Sequence, residues 1–297
     1  MTNYNKQSQT VLTQPIRTTL SVRVASGTHP GRVRKLNEDS LKVVVRPVGE
    51  HEGAALLIVA DGMGGHRGGD IASMIAVETI ADSLSWLINA PDSEEDVPNR
   101  AIESVLNRFD TDYVPQTSAT FLEMHLAMAI DKANRNIRAY ALKNPSSAGN
   151  LGTTATCALI IGTKALIANI GDSRTYLLRD GVSRLLTTDH SLVGMLVEMG
   201  QIAPEELYDH PNRHLVTRSL GSPDTEFPDI KALTLRDGDR LLLCSDGLWE
   251  PLRDSAEFHA EFSSSNIPIG VNNLIRLANE AGGPDNISVI LAEMLLT

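Results

Sequence analysis

The chain has 297 residues, 42% of them apolar, enough to bury the core of one large domain or two average ones. A formal charge of -11 without a basic stripe excludes nucleic acid as a partner but not a single phosphate held locally. The opening MTNYNKQSQTVLTQP has no hydrophobic signal region and no apolar run approaches the ~18 residues of a membrane span, so the expectation is a cytoplasmic, soluble monomer without membrane contact.

Residues 1–20 read as a flexible arm. From Leu20 to Ser26 the pattern LSVRVAS alternates and predicts a strand, followed by the loop GTHPGRVRKLNEDS, with Arg32, Arg34, Lys35, Glu38 and Asp39, and a second strand, LKVVVRPV. The run AALLIVA at 54–60 is apolar without alternation, which predicts a strand buried on both faces. Asp61 follows, then Gly62, Gly64, Gly65, Gly68 and Gly69, then a helical pattern (Ala72, Ile75, Ala76, Thr79, Ile80, Leu84, Leu87) with Asp70 as its N-cap. A carboxylate at the mouth of a buried strand costs several kcal/mol unless paired, solvated or bound to a metal. The glycines suggest that something approaches the backbone closely. Spacing excludes a G-x-G-x-x-G or P-loop phosphate cradle, and Met63 and Gly65 exclude an EF-hand. Two readings remain: a metal site using the Asp61 carboxylate and a freed backbone carbonyl, or a plain Asp-Gly turn.

The acidic run Asp92, Glu94, Glu95 and Asp96 marks a surface insertion over 89–118. A stronger helix follows, with Leu122, Leu126, Ile130, Ala133, Ile137 and Ala141 on one face. From Leu151 the chain changes to short strands, with Asp180-Gly181 as a hairpin turn, while Gly171-Asp172-Ser173 occupies a similar corner without the Asp-Gly order a tight hairpin prefers. Strand signals vanish between Asp189 and Gly221, where one short helix is predicted from an Asp189 cap to Gly200 and another at Pro204–Leu207; His210 and His214 fall in a loop around Pro211. Strands then resume. Asp237-Gly238 is an ordinary turn, whereas Asp246-Gly247 closes the apolar run LLLCS as Asp61-Gly62 closes its own. Helical segments span about 254–281, and Asp285 precedes the last strand, ISVILAEML. Cys157 and Cys244 sit in apolar strands, where buried free thiols are expected.

If Asp61, Asp246 and Asp285 converge with each pair ~5 Å apart, mutual repulsion at an effective dielectric of ~20 totals on the order of 10 kcal/mol. Divalent cations would offset it, and an oxygen-only donor set selects Mg²⁺ or Mn²⁺. Two such ions sharing a carboxylate would sit ~3.5–4 Å apart, and a hydroxide bridging them could attack phosphorus in line. Arg34 is the first candidate for the fork that holds the phosphate oxygens.

These segments resemble the metal-dependent protein phosphatase family, also called protein phosphatase 2C, in its bacterial form. The resemblance runs from about Val22 to Leu295 through Arg34 with Asn37-Glu38-Asp39, VADGMGGH, Gly152-Thr153-Thr154, ANIGDSR, CSDGLWE and GGPDNISV. It implies one α+β domain over 21–297, a four-layer α/β/β/α sandwich in which two antiparallel sheets pack face to face with helices on both outer sides. It implies a hydrolase acting in signal transduction, a protein-serine/threonine phosphatase that attacks phosphomonoesters directly with a metal-bridging hydroxide. Its partners would be phosphorylated proteins, substrates of a serine/threonine kinase. By match, Asp61 would bridge two Mn²⁺ or Mg²⁺ ions, the Gly62 carbonyl would bind one, Asp246 and Asp285 the other, and Asp172 with Asp246 a third. Glu38 and Asp39 would act through metal-bound waters, Arg34 would bind the substrate phosphate, and 189–220 matches the family's flap. Animal members carry a histidine directly after the Asp-Gly, where this chain has Met63. His66 is therefore the nearby candidate for protonating the leaving alkoxide, with a metal-bound water as the rival. A non-catalytic phospho-sensor and a metal-dependent diesterase are the competing functions; chelator-insensitive binding without hydrolysis would mark the first, cleavage of a diester the second.

Overall fold

A computed structural model describes residues 20–46, 53–64, 68–89, 118–145, 151–223 and 227–296. The N-terminal arm, His66 and nearly all of the acidic insertion lie outside these residues. In chain order the strands are β1 (Leu20–His29), β2 (Ser40–Val45), β3 (Ala54–Ala60), β4 (Gly62–Met63), β5 (Gly152–Thr153), β6 (Ala155–Ile161), β7 (Lys164–Ile170), β8 (Arg174–Arg179), β9 (Val182–Leu185), β10 (Asp229–Thr234), β11 (Arg240–Cys244) and β12 (Ile287–Leu296). The helices are α1 (Gly69–Ile88), α2 (Ser118–Lys143), α3 (Leu192–Glu198), α4 (Asp246–Leu252), α5 (Ala256–Phe262) and α6 (Ile267–Glu280), with a 3-10 turn at Pro204–Asp209.

Two five-stranded antiparallel sheets, β1-β12-β11-β8-β9 and β10-β7-β6-β3-β2, carry the fold. The pleat of β3 divides its side chains between two cores. Leu56 and Ile58 face α1 and α2 in one hydrophobic layer, while Leu57 and Val59 face Leu241, Leu243 and Ile290 of the opposite sheet in a second. On the far side of that sheet Leu242, Val289 and Leu291 meet α4, α5 and α6 in a third. Three cores between four layers give the α/β/β/α order expected from the resemblance. The uninterrupted apolar run of β3 is explained by this placement, since all seven residues are buried.

Helix α1 is long and apolar enough by composition to cross a bilayer, contrary to the expectation that no such segment exists. Half of it is buried, and Ala72, Ala76, Ile80 and Leu84 pack against β3 and α2, so its apolar character is that of a core helix. Its N-cap is Gly68, at φ 133°, and Asp70 falls in the first turn, where a carboxylate still complements the helix dipole. Asp246 likewise opens α4 beyond the Ser245 cap, so the helical region after β11 begins earlier than expected and breaks into three pieces. Asp180 and Gly181, at φ 53° and 74°, form the hairpin turn between β8 and β9.

Candidate metal and phosphate site

Antiparallel register brings the candidate carboxylates together. Ser40 pairs with Ala60 and Val59 with Thr156, which puts Asp39, Asp61 and Thr154 at one end of the sheet holding β2, β3 and β6. In the facing sheet Cys244 pairs with both Val289 and Arg174, and His29 with Ile287, so Asp246, Asp285 and Asp172 gather at the matching end. Asp39 bridges the two sheets, its Oδ2 accepting a hydrogen bond from Ser245 Oγ at 2.8 Å.

Glycine at the Asp-Gly corners is required by the chain's own backbone. A Cβ at Gly62 would overlap the carbonyl oxygens of Gly69 and Glu38, and one at Gly247 would overlap the Asn286 carbonyl. The close approach inferred from the glycines is thus between β4, α1 and the 30–39 loop, and between α4 and the Asp285-Asn286 turn. Both contacts draw an aspartate toward a neighbour.

The Asp61 backbone is clamped by Thr153 and Thr154. Thr153 Oγ1 and Thr154 N donate to the Asp61 carbonyl at 2.8 and 2.9 Å, and Asp61 N donates to Thr154 Oγ1 at 2.9 Å. Asn286 serves the 30–39 loop in the same way: its Oδ1 accepts from Glu38 N at 2.8 Å, and its Nδ2 donates to the Pro30 and Leu36 carbonyls at 3.0 and 2.9 Å. Neither role was read from the sequence. The threonines and Asn286 stood in the matched segments, but contacts across roughly 90 and 250 residues leave no local signal.

Electrostatically the site is under tension. Burial, followed by the charges of Asp246, Asp39 and Asp172, raises the Asp61 carboxyl well above its ordinary range. Burial, followed by Asp172 and Asp285, does the same to Asp246, and these two groups face each other closely enough to share a proton. Asp39 and Asp172 are each pushed up to about 7, chiefly by burial. The buried oxygens Asp39 Oδ1 and Asp246 Oδ1 have no hydrogen-bond partner. Such groups gain most from a hard cation. Among the described residues no three His, Cys, Asp or Glu side chains close into a finished ion cage. Mg²⁺-like ions keep several waters in their shell, so a hydrated ion does not need its carboxylates drawn into a closed cage.

At the rim Arg34 Nη2 donates to Asp285 Oδ2 at 2.6 Å, with half of the arginine side chain exposed. The candidate fork therefore reaches the carboxylate group while remaining open to solvent. His210 and His214 stay in a loop, as expected.

The excursion at 189–220 is tied to the same edge. Asp189 does not cap α3; Ser191 does, accepting from Gly194 N. Asp189 instead forms a buried ion pair with Arg174 at 2.7 Å, because a guanidinium stacked 3.5 Å over Trp249 and shut off from water needs a counter-charge. Trp249 Nε1 in turn donates to the Asp172 carbonyl at 3.0 Å, and His190 Nδ1 accepts from Gly171 N at 3.1 Å. At the other end Leu220 bridges to Thr153.

The protein phosphatase 2C family model matches residues 26–269. The serine/threonine protein phosphatase PstP of Mycobacterium tuberculosis is 35% identical over 279 residues, covering 94% of this chain and 46% of its own length. Protein phosphatase PhpP of Streptococcus pneumoniae is 35% identical over 269 residues, 90% of this chain and 95% of its own. The chain thus spans about half of the first relative and nearly all of the second. Among solved structures, the catalytic domain of the serine threonine protein phosphatase PstP in complex with two manganese ions superposes with a TM-score of 0.71 at 32% identity, covering 93% of this chain and 100% of that one.

Proposed function

This chain belongs to the protein phosphatase 2C family, and we propose on that footing that it is a metal-dependent protein-serine/threonine phosphatase acting on phosphorylated proteins in signal transduction. The observation that carries the reading is the gathering of Asp39, Asp61, Asp172 and Asp246, with orphaned buried oxygens, beside the solvent-facing Arg34. Asp61 and the Gly62 carbonyl would hold one Mn²⁺ or Mg²⁺ ion, Asp61, Asp246 and Asp285 a second, and Asp172 with Asp246 a third. Glu38 and Asp39 would orient the water around them. Cations bound there bring the pKa of water toward neutrality and offset charge on the phosphate.

Direct attack by water would need no nucleophile from the chain, and the two cysteines offer none. Burial pushes the Cys157 thiol up to about 12 and raises Cys244 too, so neither supplies a thiolate near neutral pH. Arg34 would leave Asp285 to hold two phosphate oxygens in its planar fork, steadying the phosphoryl group as charge spreads over it. The departing alkoxide takes its proton from His66 or from a water. A His66→Gln variant separates these sources: a loss of about a hundredfold on phosphothreonine peptides, with little change on p-nitrophenyl phosphate, assigns the proton to His66.

Hydrolysis of a phosphothreonine peptide tests the reading directly. Turnover should require added Mn²⁺ and stop with chelator. Hydrolysis that persists through exhaustive chelation, or cleavage of a phosphodiester in place of the peptide, would refute it.

A further inference from the structure

The loop from Arg32 to Leu36 lies open at the rim of the site, and all five of its residues are exposed. Its backbone is nevertheless fixed. Arg32 N and Val33 N donate to the Gly283 carbonyl at 2.8 and 3.3 Å, Gly31 N to His29 Nδ1 at 2.9 Å, and Asn286 Nδ2 holds the carbonyls on both sides, at Pro30 and Leu36. Gly31, at φ 79°, is pressed so closely on the Asp285 carbonyl that no side chain fits. A loop this constrained presents its side chains with little ordering left to lose on binding.

What it presents runs against the rest of the molecule. Three cations, Arg32, Arg34 and Lys35, stand within four positions of a chain whose formal charge is -11. Arg34 is engaged with Asp285, but Arg32 and Lys35 have no carboxylate partner among the described residues. Exposed Arg23, Arg253 and Arg276 are each paired with an acid, and Arg138, Arg184 and Arg236, like Arg32, carry no such pair among the described residues, but none of these lies beside the candidate phosphate-binding Arg34. Between and beside the cations Val33 and Leu36 are 69% and 54% exposed, which adds apolar contact area to a charged rim. At no more than ~3.6 Å of chain per residue, Arg32 and Lys35 lie within ~7 Å of backbone from Arg34. A polypeptide whose phosphate sat at Arg34 would run its neighbouring residues past both.

We infer that the Arg32–Leu36 loop is a docking surface for the substrate chain that selects anionic groups, carboxylate or a second phosphate, within two or three residues of the scissile phosphothreonine or phosphoserine. The inference rests on the phosphatase reading above and names the substrate class of that site. Its physical basis is charge complementarity at an exposed rim, which acts on encounter and orientation and is screened by salt.

The experiment compares kcat/KM with Mn²⁺ for four phosphothreonine peptides: one with neutral flanks, one with glutamates at the second and third positions on either side, one with lysines at those positions, and one with a second phosphothreonine two residues away. The full chain should favour the anionic peptides about tenfold at low ionic strength and lose that preference at high salt. The ratio should collapse toward one in Arg32→Gln/Lys35→Gln and invert toward lysine-flanked peptides in Arg32→Glu/Lys35→Glu. A preference for both anionic peptides assigns charge alone, and one confined to the doubly phosphorylated peptide assigns phosphate. An unselective wild-type protein, or a ratio untouched by the double substitutions, would overturn the inference. Wild-type turnover of p-nitrophenyl phosphate, which has no flanking chain, reports separately on the phosphatase reading, and its absence would remove both.

Discussion

Asp246 stands where a lone carboxylate is disfavoured twice, by burial and by the neighbouring charges of Asp172 and Asp285. Replacing it with Asn removes one like charge while keeping the shape. The Asp246→Asn protein is expected to lose at least about a hundredfold in Mn²⁺-dependent phosphopeptide turnover. Without metal, it should melt no lower than the wild type. A lower melting temperature in chelator would mean that this aspartate supports the fold rather than strains it.

Asp172 gives the same tension a pH dependence. Its carboxyl is pushed up to about 7 by burial first and then by Asp189 and Glu250, against the opposing pull of Arg174. Unfolded, it titrates near ~3.9, so between about pH 4 and about pH 7 the folded metal-free protein holds more protons than the unfolded chain. Stability contributed by this group is full below that window and is lost as pH rises through it. The melting-temperature difference between wild type and Asp172→Asn, measured in chelator, should therefore shift in favour of the Asn variant from about pH 4.5 to about pH 7.5. A flat difference would show that the carboxyl titrates normally. Added Mn²⁺, competing with protons for the same oxygens, should reverse the trend.

At the scale of elements, two contacts decide whether the aspartates stay together. Gly247 lets the start of α4 lie against the Asn286 carbonyl, and Gly247→Ala has no room for its methyl. It should cost at least about 2 kcal/mol by denaturant titration and weaken Mn²⁺ binding by moving Asp246 away from Asp285. The second contact anchors the 189–220 excursion through the Arg174–Asp189 pair, whose side chains are only 4% and 7% exposed. Asp189→Ala leaves a buried guanidinium uncompensated, at about 3–5 kcal/mol, and should expose the excursion to limited proteolysis before the sheets unfold. Intact protease resistance would place the anchor elsewhere.

These elements also show what the sequence made legible. The burial of β3 was readable because a strand covered on both faces needs no alternation. Helix α2 was readable from its apolar face, and the β8–β9 turn from Asp-Gly, since each is a local pattern. The N-terminus of α1 was misread by two positions because Gly68 at φ 133° takes a cap position that sequence preference assigns to aspartate. Asp189 resembled a helix cap, yet its partner is Arg174, fifteen residues earlier at the start of β8.

For the molecule as a whole, every strand that carries a candidate residue presents it at the same end of the two sheets, and the antiparallel registers account for that. Resemblance gave the order of the segments and the roles implied for Asp61, Asp172, Asp246 and Asp285. It did not give the bonds that join them, such as Ser245 to Asp39 across 206 residues or Asn286 to Leu36 across 250, because side-chain pairing between sheets is written in no single stretch of chain. The result is an acidic chain that concentrates unshared carboxylate oxygen in one place and sets two cations unpaired among the described residues, Arg32 and Lys35, beside it.

Calorimetric titration of the metal-free protein with Mn²⁺ near pH 7 tests that arrangement most directly. Two ions should bind with release of protons, a third more weakly, and Asp246→Asn should abolish at least one binding event. Absence of binding, or a titration that Asp246→Asn leaves unchanged, would contradict the account.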